Sequence, residues 1–518
     1  MRAESTGDVR LLKKWQKGLW NLLFSKTALF LILLLGQFLL LLGLMLRLAD
    51  FLPHVLGGQF LLTCTMVLYL VNSRLDPTAK LTWMAVILVS PVFGSLVYLF
   101  TERELGHRAM KKRLSDINHQ TANLLTQLPA ESLRCKDPGV AALSHYIYKH
   151  GGYPIFPDTK VEYFSSGEEK LRRLLEELEK AESFIFLEYF IIEEGVMWGQ
   201  ILDVLIRKAA QGVDVRVLYD GTCELTLLPK EYPSMLKKKG IRCKVFSPFI
   251  PFASTHYNYR DHRKILVIDG HTAFNGGINL ADEYIGAKIK FGHWKDAAVM
   301  LKGSAVQSFT MMFLQNWNLD EKTPDYTPLQ KVPLPEAAAG LVMPYADQPL
   351  NAEQVGKNVY LDLIHRATDY VYIMSPYLIL DTELENALTF AAARGVQIKL
   401  ILPGIPDKKL PYALAKTHYQ ALLASGVEIY EYTPGFVHAK VFLCDGQEAI
   451  VGTINLDYRS LYHHFECATY LHGVPCLQDI AKDFENTFQK CSRITPETRQ
   501  RWRVRLLGRL CKLIAPLL

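Results

Sequence analysis

Residues His262–Gly270 read H-R-K-I-L-V-I-D-G, and a second copy of the pattern, H-A-K-V-F-L-C-D-G, occupies residues His438–Gly446. A Gly-x-x-Asn segment follows each copy and ends at Asn279 in the first and at Asn455 in the second. Each His, Lys, Asp and Asn of the second copy lies 176 positions after its counterpart. This agreement indicates a duplicated unit, with one copy of the pattern in each half of the chain.

Both copies have the character of a strand that enters a tight turn. Apolar residues fill Ile265–Ile268 and Val441–Cys444, and an Asp-Gly pair follows each run. Because side chains alternate between the faces of a strand, the histidine and the lysine of each copy project to the same side. The H-x-K spacing therefore predicts an imidazole and an ammonium group together at one edge of a sheet.

Similar patterns of strand and helix surround the two copies. Strands are predicted at Ser183–Ile192, Val213–Tyr219, Arg242–Phe246, Tyr370–Ile379, Val396–Leu402 and Val427–Tyr432, and helices at Ile201–Ala210 and Glu383–Arg394. The alternation predicts an α/β fold of two pseudo-symmetric domains, each a mixed sheet flanked by helices, that form one active site.

The composition divides the chain into five regions. We expect a membrane region over 1–108, a linker over 109–152, a first domain over 153–335, a second over 336–498 and a basic amphipathic tail over 499–518. The Pro-rich segment 323–335 is the expected junction between the domains.

Three apolar runs lie near the start, at Ala28–Leu46, Val55–Val71 and Leu81–Phe100. The first can cross a bilayer core of about 30 Å, and without a small-residue cleavage site it reads as a retained anchor. The runs predict an N-terminal transmembrane region of two or three helices and an integral, multi-pass membrane protein. Basic residues flank both ends of this region. By the positive-inside rule, either one run is re-entrant or interfacial, or the charge of one flank does not set the orientation. We expect the catalytic part to be cytoplasmic.

The tail alternates basic residues with Trp502 and several leucines. Two interpretations stand: a helix in the headgroup region of anionic lipids, or a helix that docks on the protein's own surface.

Charge and cysteine content narrow the classes of function. The 58 Lys and Arg against 52 Asp and Glu give a net charge of only +6, which argues against a nucleic-acid groove. The nine cysteines form no C-x-x-C pair, so no zinc site is predicted and a reducing compartment is favoured.

The residues of the two copies suit phosphoryl transfer. Lysines can neutralise the charge of a phosphodiester, and the amides of Asn279 and Asn455 can donate hydrogen bonds to its oxygens. One neutral imidazole can attack phosphorus while the other, protonated, gives its proton to the leaving alkoxide. Since lysines supply the positive charge, neither a metal ion nor another cofactor is expected.

The paired H-x-K-x4-D and G-x-x-N motifs resemble those of the phospholipase D superfamily, and within it those of bacterial cardiolipin synthases. The segment Asn72–Trp83, N-S-R-L-D-P-T-A-K-L-T-W, is also similar to the amino-terminal region of those enzymes. The resemblance covers roughly residue 70 onward. It implies transfer of a phosphatidyl group from one phosphatidylglycerol to another, with release of glycerol through a phosphohistidine, and anionic membrane lipids as partners. The oligomeric state stays open.

The resemblance also implies roles for individual residues. His262 would be the nucleophile and His438 the acid and base, and Asp296 and Glu466 would orient the imidazoles. The motif as a whole adds a further set of catalytic residues, namely Lys264, Asp269, Lys440 and Asp445. For the two aspartates, turn formation or a structural salt bridge is the alternative to catalysis.

Several other residues remain open. Glu188 either faces the cleft or is a buried, paired carboxylate, and further cleft candidates are Asp220, Tyr377, His463 and His464. A phospholipase D hydrolase or a synthase of another headgroup, such as phosphatidylserine, would use the same motifs. A membrane-tethered nuclease and a catalytically inactive scaffold are the remaining alternatives.

Overall fold

The structure is a computed structural model that describes residues 36, 39, 52–73, 75–102, 108–127, 137–248, 259–330, 336–351, 353–498, 502–512 and 515. The chain divides into two compact units. The smaller contains the helices before residue 108, and the larger contains both copies of the motif.

The smaller unit has three described helices, α1 (Leu52–Val71), α2 (Pro77–Val89) and α3 (Pro91–Glu102). The Asp76 carboxylate caps α2 by accepting a hydrogen bond of 2.9 Å from the Thr78 N–H. Because proline has no backbone N–H and fixes φ, a helix rarely continues through it, and the apolar run Leu81–Phe100 is divided between α2 and α3. A small core joins the three helices and contains Met66, Leu70, Trp83, Ile87 and Tyr98.

No helix among these described residues has both the length and the apolar character of a membrane span. The run Ala28–Leu46 lies outside the described residues except for Gly36 and Leu39. The predicted transmembrane region therefore stays a prediction. Many large apolar side chains of the described helices are nevertheless exposed, including Phe60 at 73% and Val89 at 87%.

The larger unit begins with α4 (Arg108–Thr121) and α5 (Pro138–Gly151), in the region expected to be a linker. Their apolar faces, including Leu114, Val140 and Ile147, are buried in the main core. An apolar stripe with i, i+3, i+4 spacing is stable when it packs against a core. Helices α4 and α5 therefore belong to the folded larger unit.

The first half then runs through β1 (Thr159–Phe164), α6 (Gly167–Leu178), β2 (Phe184–Tyr189), α7 (Val196–Ala210), β3 (Asp214–Asp220), α8 (Cys223–Thr226), α9 (Tyr232–Lys237), β4 (Arg242–Phe246), β5 (Arg260–Asp261), β6 (Lys264–Ile268), β7 (Thr272–Gly276), β8 (His293–Lys295), β9 (Ala298–Gly303) and α10 (Val306–Trp317).

The second half repeats this course through β10 (Leu341–Asp347), α11 (Val355–Arg366), β11 (Tyr370–Met374), α12 (Thr382–Ala393), β12 (Gln397–Pro403), α13 (Lys409–Ala424), β13 (Glu428–Tyr432), β14 (Gly435–Val437), β15 (Val441–Cys444), β16 (Glu448–Gly452), α14 (Tyr458–Tyr462), β17 (His464–His472), α15 (Leu477–Phe488), β18 (Cys491–Ile494) and α16 (Trp502–Lys512).

The two sheets have the same topology. Their orders are β1-β9-β7-β6-β2-β3-β4 and β10-β17-β16-β15-β11-β12-β13, the second extended by β18. Parallel and antiparallel pairs occupy the same places in both, so each sheet is mixed as predicted. In both halves the motif strand, β6 or β15, occupies the centre of the sheet and is buried along its whole length.

The halves share a single core. Helix α10 is buried on nearly every side and packs against strands of both sheets. Between the sheets, the Asn275 amide of β7 donates to the Cys467 sulfur of β17 at 3.1 Å. The two halves are therefore held as one body, which fixes the positions of their motifs.

The C-terminal helix α16 docks on α13. A Cβ on Gly508 would lie 2.3 Å from the Ala413 carbonyl oxygen, so glycine permits this close approach. The opposite side of α16 exposes Trp502 at 69% and Leu510 at 63%. The helix thus packs on the protein through one face and leaves an apolar and basic face uncovered.

Candidate active site

Each motif is docked on a strand of the opposite half. Strand β5 pairs in parallel with the start of β17, and the His262 N–H donates to the Phe465 carbonyl at 2.9 Å. In the same way β14 pairs with β8, and the His438 N–H donates to the Lys295 carbonyl at 2.7 Å. Since an acid directly follows Phe465 and Lys295 in the sequence, this pairing brings an acid of one half to the histidine of the other.

Each imidazole contacts a carboxylate from the opposite half of the chain. His262 Nδ1 lies 2.9 Å and 3.0 Å from the two carboxylate oxygens of Glu466. His438 Nδ1 lies 2.7 Å from Asp296 Oδ2. Because an ionised carboxylate can only accept hydrogen bonds, each Nδ1 carries the proton and each Nε2 keeps its lone pair.

Burial shifts the pKa values of all four groups. It lowers the pKa of His262 to about 3, and the Glu466 carboxylate opposes this shift. It lowers the pKa of His438 to about 4, assisted by the Lys440 ammonium and opposed by Asp296. Burial alone would raise the pKa of Glu466 and Asp296, but their histidine partners hold both below the ordinary range. Both imidazoles are thus neutral beside ionised carboxylates.

The motif lysines are buried beside the histidines. Lys264 Nζ donates to the His262 carbonyl at 2.7 Å, and Lys440 Nζ donates to the His438 carbonyl. Burial lowers the pKa of Lys264 to about 8 and that of Lys440 to about 7. Lys264 also lowers the pKa of His438 in the other half, so the two motifs share one electrostatic environment.

A third buried lysine, Lys170 on α6, was missed at the level of the sequence. Its Nζ donates to the Ile278 carbonyl at 3.1 Å, next to Asn279, and burial lowers its pKa to about 7. The segment around it is rich in charged residues and reads as a solvated helix. Lys170 lies four residues before Leu174 and therefore on the apolar stripe of α6. This spacing could have predicted that Lys170 is buried.

Aromatic rings surround the imidazoles. Phe190 lies edge-on to His262 with 4.9 Å between ring centroids. Tyr284, Trp294 and Phe436 lie 5.5, 5.6 and 5.9 Å from the His438 ring. These residues come from a loop, a short 3₁₀ helix and short strands outside the motifs, so the motif pattern did not identify them. They give the cleft the apolar walls that limit access of water.

The two motif asparagines differ in their surroundings. Asn279 Nδ2 donates to the Tyr284 hydroxyl at 2.7 Å, and its Oδ1 accepts from the Ile191 N–H. Asn455 is also buried, and among the described residues its Oδ1 has no hydrogen-bond partner. Asn279 thus supports the Tyr284 hydroxyl, whose ring lies 5.5 Å from the His438 ring.

Asp269 and Asp445 do not join the site, and their assignment as catalytic residues is corrected. Both end their strands with positive φ, 53° and 50°. Asp269 accepts hydrogen bonds from three successive backbone N–H groups, and Asp445 does the same at the start of β11. At about 3.3 Å per residue, Asp269 lies roughly 17 Å from Lys264 along β6. Both carboxylates form turns, the alternative that the sequence left open.

Two of the other candidates are structural. Glu188 is fully buried, accepts a hydrogen bond of 2.7 Å from Asn316 and lies 3.7 Å from Arg263. Asp220 is also fully buried and accepts from the backbone N–H groups of Thr222 and Asp261. Both are buried carboxylates paired with groups of the protein, the second alternative that the sequence left open for Glu188.

The remaining candidates lie near the motifs. The His464 ring is 5.5 Å from the His262 ring, and its Nδ1 is 3.6 Å from Glu466 Oε1. His463 ends α14, and its N–H donates to the Arg459 carbonyl. The Tyr377 hydroxyl donates to Asp407 Oδ2 at 2.7 Å and lines a pocket beside Phe436.

One group in the described part of the chain has the donor set for a metal ion. The ligand atoms of His262, His464 and Glu466 all lie within 4.8 Å of one another. A cation bound there would withdraw Glu466 from His262 Nδ1. Such binding would therefore compete with the orientation of the imidazole.

Comparison with known proteins agrees with this geometry. The family described as "Cardiolipin synthase, PLD-like domain" matches residues 174–317 and 360–491, and "Phospholipase_D-nuclease N-terminal" matches residues 61–103. A cardiolipin synthase of Geobacillus kaustophilus is 34% identical over 88% of this chain and 93% of its own. The chain belongs to the cardiolipin synthase family of the phospholipase D superfamily. It is a phosphatidyltransferase that acts on phospholipids.

Other relatives extend this result. An uncharacterized protein of Streptococcus mutans is 52% identical over 87% of this chain and 99% of its own. Among solved structures, a phosphatidylserine synthase of Haemophilus influenzae has a TM-score of 0.55 with 14% identity, covering 73% of this chain and 99% of that one. At this identity the likeness establishes the fold. Both predicted phospholipase D-like domains are thereby confirmed.

Proposed function

We propose that the enzyme is a cardiolipin synthase that transfers a phosphatidyl group from one phosphatidylglycerol to a second, releasing glycerol. The observation that carries the proposal is that each histidine binds an acid of the opposite half, His262 with Glu466 and His438 with Asp296. With these partners both imidazoles have the same tautomer, and each Nε2 keeps its lone pair for the substrate.

The first displacement uses both imidazoles. His262 Nε2 attacks phosphorus, and the bond from phosphorus to the glycerol oxygen breaks. The leaving oxygen takes a proton from His438 Nε2, so glycerol departs as a neutral alcohol and a phosphohistidine remains. For this step His438 must be protonated. An anionic phosphodiester in the cleft supports that state, because a nearby negative charge raises the pKa of an imidazole.

The second displacement reverses the first. The primary hydroxyl of a second phosphatidylglycerol gives its proton to His438 Nε2 and attacks phosphorus, and the bond to His262 Nε2 breaks. Cardiolipin leaves, His262 is neutral again and His438 is protonated. Two displacements at phosphorus give net retention of configuration.

The other buried groups stabilise the phosphoryl oxygens. Lys264 and Lys440 supply positive charge where negative charge builds up, in a cleft walled by aromatic rings that weaken screening by water. Asn455 is proposed to donate to the same oxygens, and Asn279 to act through Tyr284. Glu466 and Asp296 keep the tautomers and stabilise the positive charge that develops on each ring.

We further propose that the protein is an integral, multi-pass protein of a bacterial cell membrane with its catalytic domains in the cytoplasm. Support comes from the apolar N-terminal runs and from the exposed face of α16. On that face the exposed side chains of Trp502, Leu506 and Leu510 accompany the exposed cations Arg505 and Arg509. An aromatic ring among cations suits the headgroup region of anionic lipid.

The test is a product assay with purified full-length protein in phosphatidylglycerol vesicles. Equal amounts of cardiolipin and glycerol are expected. Phosphatidate in place of cardiolipin would identify a hydrolase. Phosphatidylserine formed with added serine, at the expense of cardiolipin, would identify a synthase of another headgroup. Wild-type protein that forms none of these products would refute the proposal.

A further inference from the structure

We propose that the rim of the active-site cleft docks on the surface of an anionic lipid bilayer. The inference deepens the proposed function and rests on it, because a synthase of this kind takes its substrate from a membrane. The rim consists of five aliphatic side chains, exposed by 41% to 85%, in loops and at the first turns of helices of the larger unit. They are Val196, Leu225, Ile289, Ile405 and Leu410.

The sheet topology places the rim at the same edge as the motif histidines. Strand β2 ends beside Lys264 of the first motif, and β11 ends beside Val441 of the second. Both histidines therefore lie just beyond the carboxyl ends of these strands. Strands β3 and β12 run parallel to β2 and β11 and end at the same edge. The rim residues that follow these ends are Val196 after β2, Leu225 after β3, and Ile405 and Leu410 after β12.

Ile289 reaches this edge from another part of the chain. It lies on the loop 286–292, whose two ends lead to aromatic rings 5.5 and 5.6 Å from the His438 ring. A Cβ on Gly292 of this loop would lie 3.2 Å from Ile405 Cδ1. The loop therefore packs against the segment that follows β12, and the two form one continuous surface beside the acid/base histidine.

The grouping of these side chains distinguishes the rim from the rest of the surface. Single exposed aliphatic side chains are common, but a group of them around a site marks a surface of interaction. Among the described residues of 159–494, Phe390 is the one exposed large apolar side chain outside the rim. It lies near the end of α12, which leads back to the opposite edge of the sheet.

The charges of the rim favour an anionic partner. Four exposed lysines are interleaved with the aliphatic side chains, namely Lys288, Lys290, Lys408 and Lys409. Glu193 and Glu283 form ion pairs with the first two of them, both at 3.0 Å. In each pair the lysine is the outer partner, exposed by 43% and 44% against 19% and 4% for the carboxylates. Outward cations among aliphatic side chains match anionic headgroups above a hydrocarbon layer.

The rim is also close to the point where α16 docks. Helix α13 begins at Lys409, and one turn later Ala413 makes the close contact with Gly508. A bilayer held by the rim would cover the mouth of the cleft. Phosphatidylglycerol could then bring its phosphate to the two histidines while its acyl chains stay in the bilayer.

The experiment is photocrosslinking of full-length protein in vesicles of phosphatidylglycerol with radiolabelled acyl chains. Ile289→p-benzoylphenylalanine probes the rim, and Phe390→p-benzoylphenylalanine is the matched control on α12. Both positions are exposed, so neither variant disturbs the core. Lipid label at position 289 is expected to exceed that at position 390 at least tenfold. In vesicles of phosphatidylcholine the label at 289 should fall at least threefold, because the lysines lose their anionic partners.

Steady-state kinetics in mixed micelles tests whether this contact serves catalysis. Ile289→Ser should raise KM for phosphatidylglycerol roughly tenfold, the effect of removing one large aliphatic side chain from an apolar layer, with a smaller effect on kcat. Phe390→Ser makes a similar change on α12 and should leave KM unchanged.

Four results would overturn the inference: equal lipid label at 289 and 390, equal label at 289 in both lipids, crosslinks from 289 to a second protein chain in place of lipid, or an unchanged KM in Ile289→Ser. Lipid labelling does not depend on which reaction the enzyme catalyses. Wild-type protein that forms no cardiolipin while the labelling follows the expected pattern would instead refute the proposed function.

Discussion

Replacing Glu466 by glutamine tests whether an acid of one half controls the histidine of the other. The substitution keeps the size of the side chain and removes its charge at a position that is fully buried. The carboxylate lies 2.9 Å and 3.0 Å from His262 Nδ1, and it also accepts a hydrogen bond from the Thr453 hydroxyl. In the proposed mechanism this charge stabilises the imidazole ring as it forms the bond to phosphorus.

The magnitude follows from the separation of the charges. Taking about 4 Å between the carboxylate and the ring, and an effective dielectric constant of about 20, the lost interaction is about 4 kcal/mol. At about 1.4 kcal/mol per decade, kcat is expected to fall by roughly three orders of magnitude. The carboxylate raises the pKa of His262 against the effect of burial, so its loss moves that pKa further below about 3.

The assay is single-turnover formation of labelled phosphoenzyme together with steady-state release of glycerol. The matched control is Glu448→Gln, a buried carboxylate of β16 that accepts two hydrogen bonds of 2.7 Å from Arg366. The control should lower the thermal unfolding temperature while activity per folded molecule stays within about twofold of wild type. The reasoning is refuted if folded Glu466→Gln protein keeps kcat within about fivefold of wild type.

The remaining predictions concern the histidines, the lysines, metal ions and the lipid face. With a phosphatidyl ester of p-nitrophenol, whose leaving group needs no acid, His438→Ala should still form phosphoenzyme and His262→Ala should form none; the opposite result would reverse their roles. Since burial lowers the pKa of Lys440 to about 7, kcat/KM should fall as the pH rises through about 7 and the ammonium is lost. Arginine stays charged, so in Lys440→Arg the fall in kcat/KM should move to higher pH, and the maximal kcat/KM should be lower. If the fall occurs at the same pH as in wild type, a group other than Lys440 causes it. Activity should survive excess EDTA, whereas added Zn²⁺ should inhibit by drawing Glu466 from His262; loss in EDTA restored only by a divalent ion would contradict the mechanism. Trp502→Ser should raise KM for phosphatidylglycerol in mixed micelles with kcat unchanged, and an unaltered KM would argue against lipid contact by α16.

Most of the sheet architecture could be predicted because it is encoded locally. The stretches Arg242–Phe246 and Val441–Cys444 form strands with the predicted bounds, and the two halves have the same strand order. Some bounds moved for local reasons. The strand expected to reach Ile379 ends at Met374, shortly before Pro376, which cannot donate a ladder hydrogen bond.

Other features were not readable because the same residue type serves several purposes. An aspartate occurs at the same position of both motif copies, Asp269 and Asp445, yet both side chains accept hydrogen bonds from backbone N–H groups at the ends of their strands. Conversely, Lys170 looks like part of a solvated helix and is buried near the motifs. Sequence spacing gives the face of a strand or helix, whereas only packing decides what covers that face.

The sequence by itself determined that two equivalent units exist and that each offers a histidine and a lysine on one side of a strand, since alternation of side chains is a local property of the backbone. The tertiary structure decided which acid serves which histidine. Glu466 lies 204 residues from His262, and Asp296 lies 142 residues from His438. No local rule joins residues so far apart; short strand pairings between the halves do so, and they form only when both sheets close on their shared core.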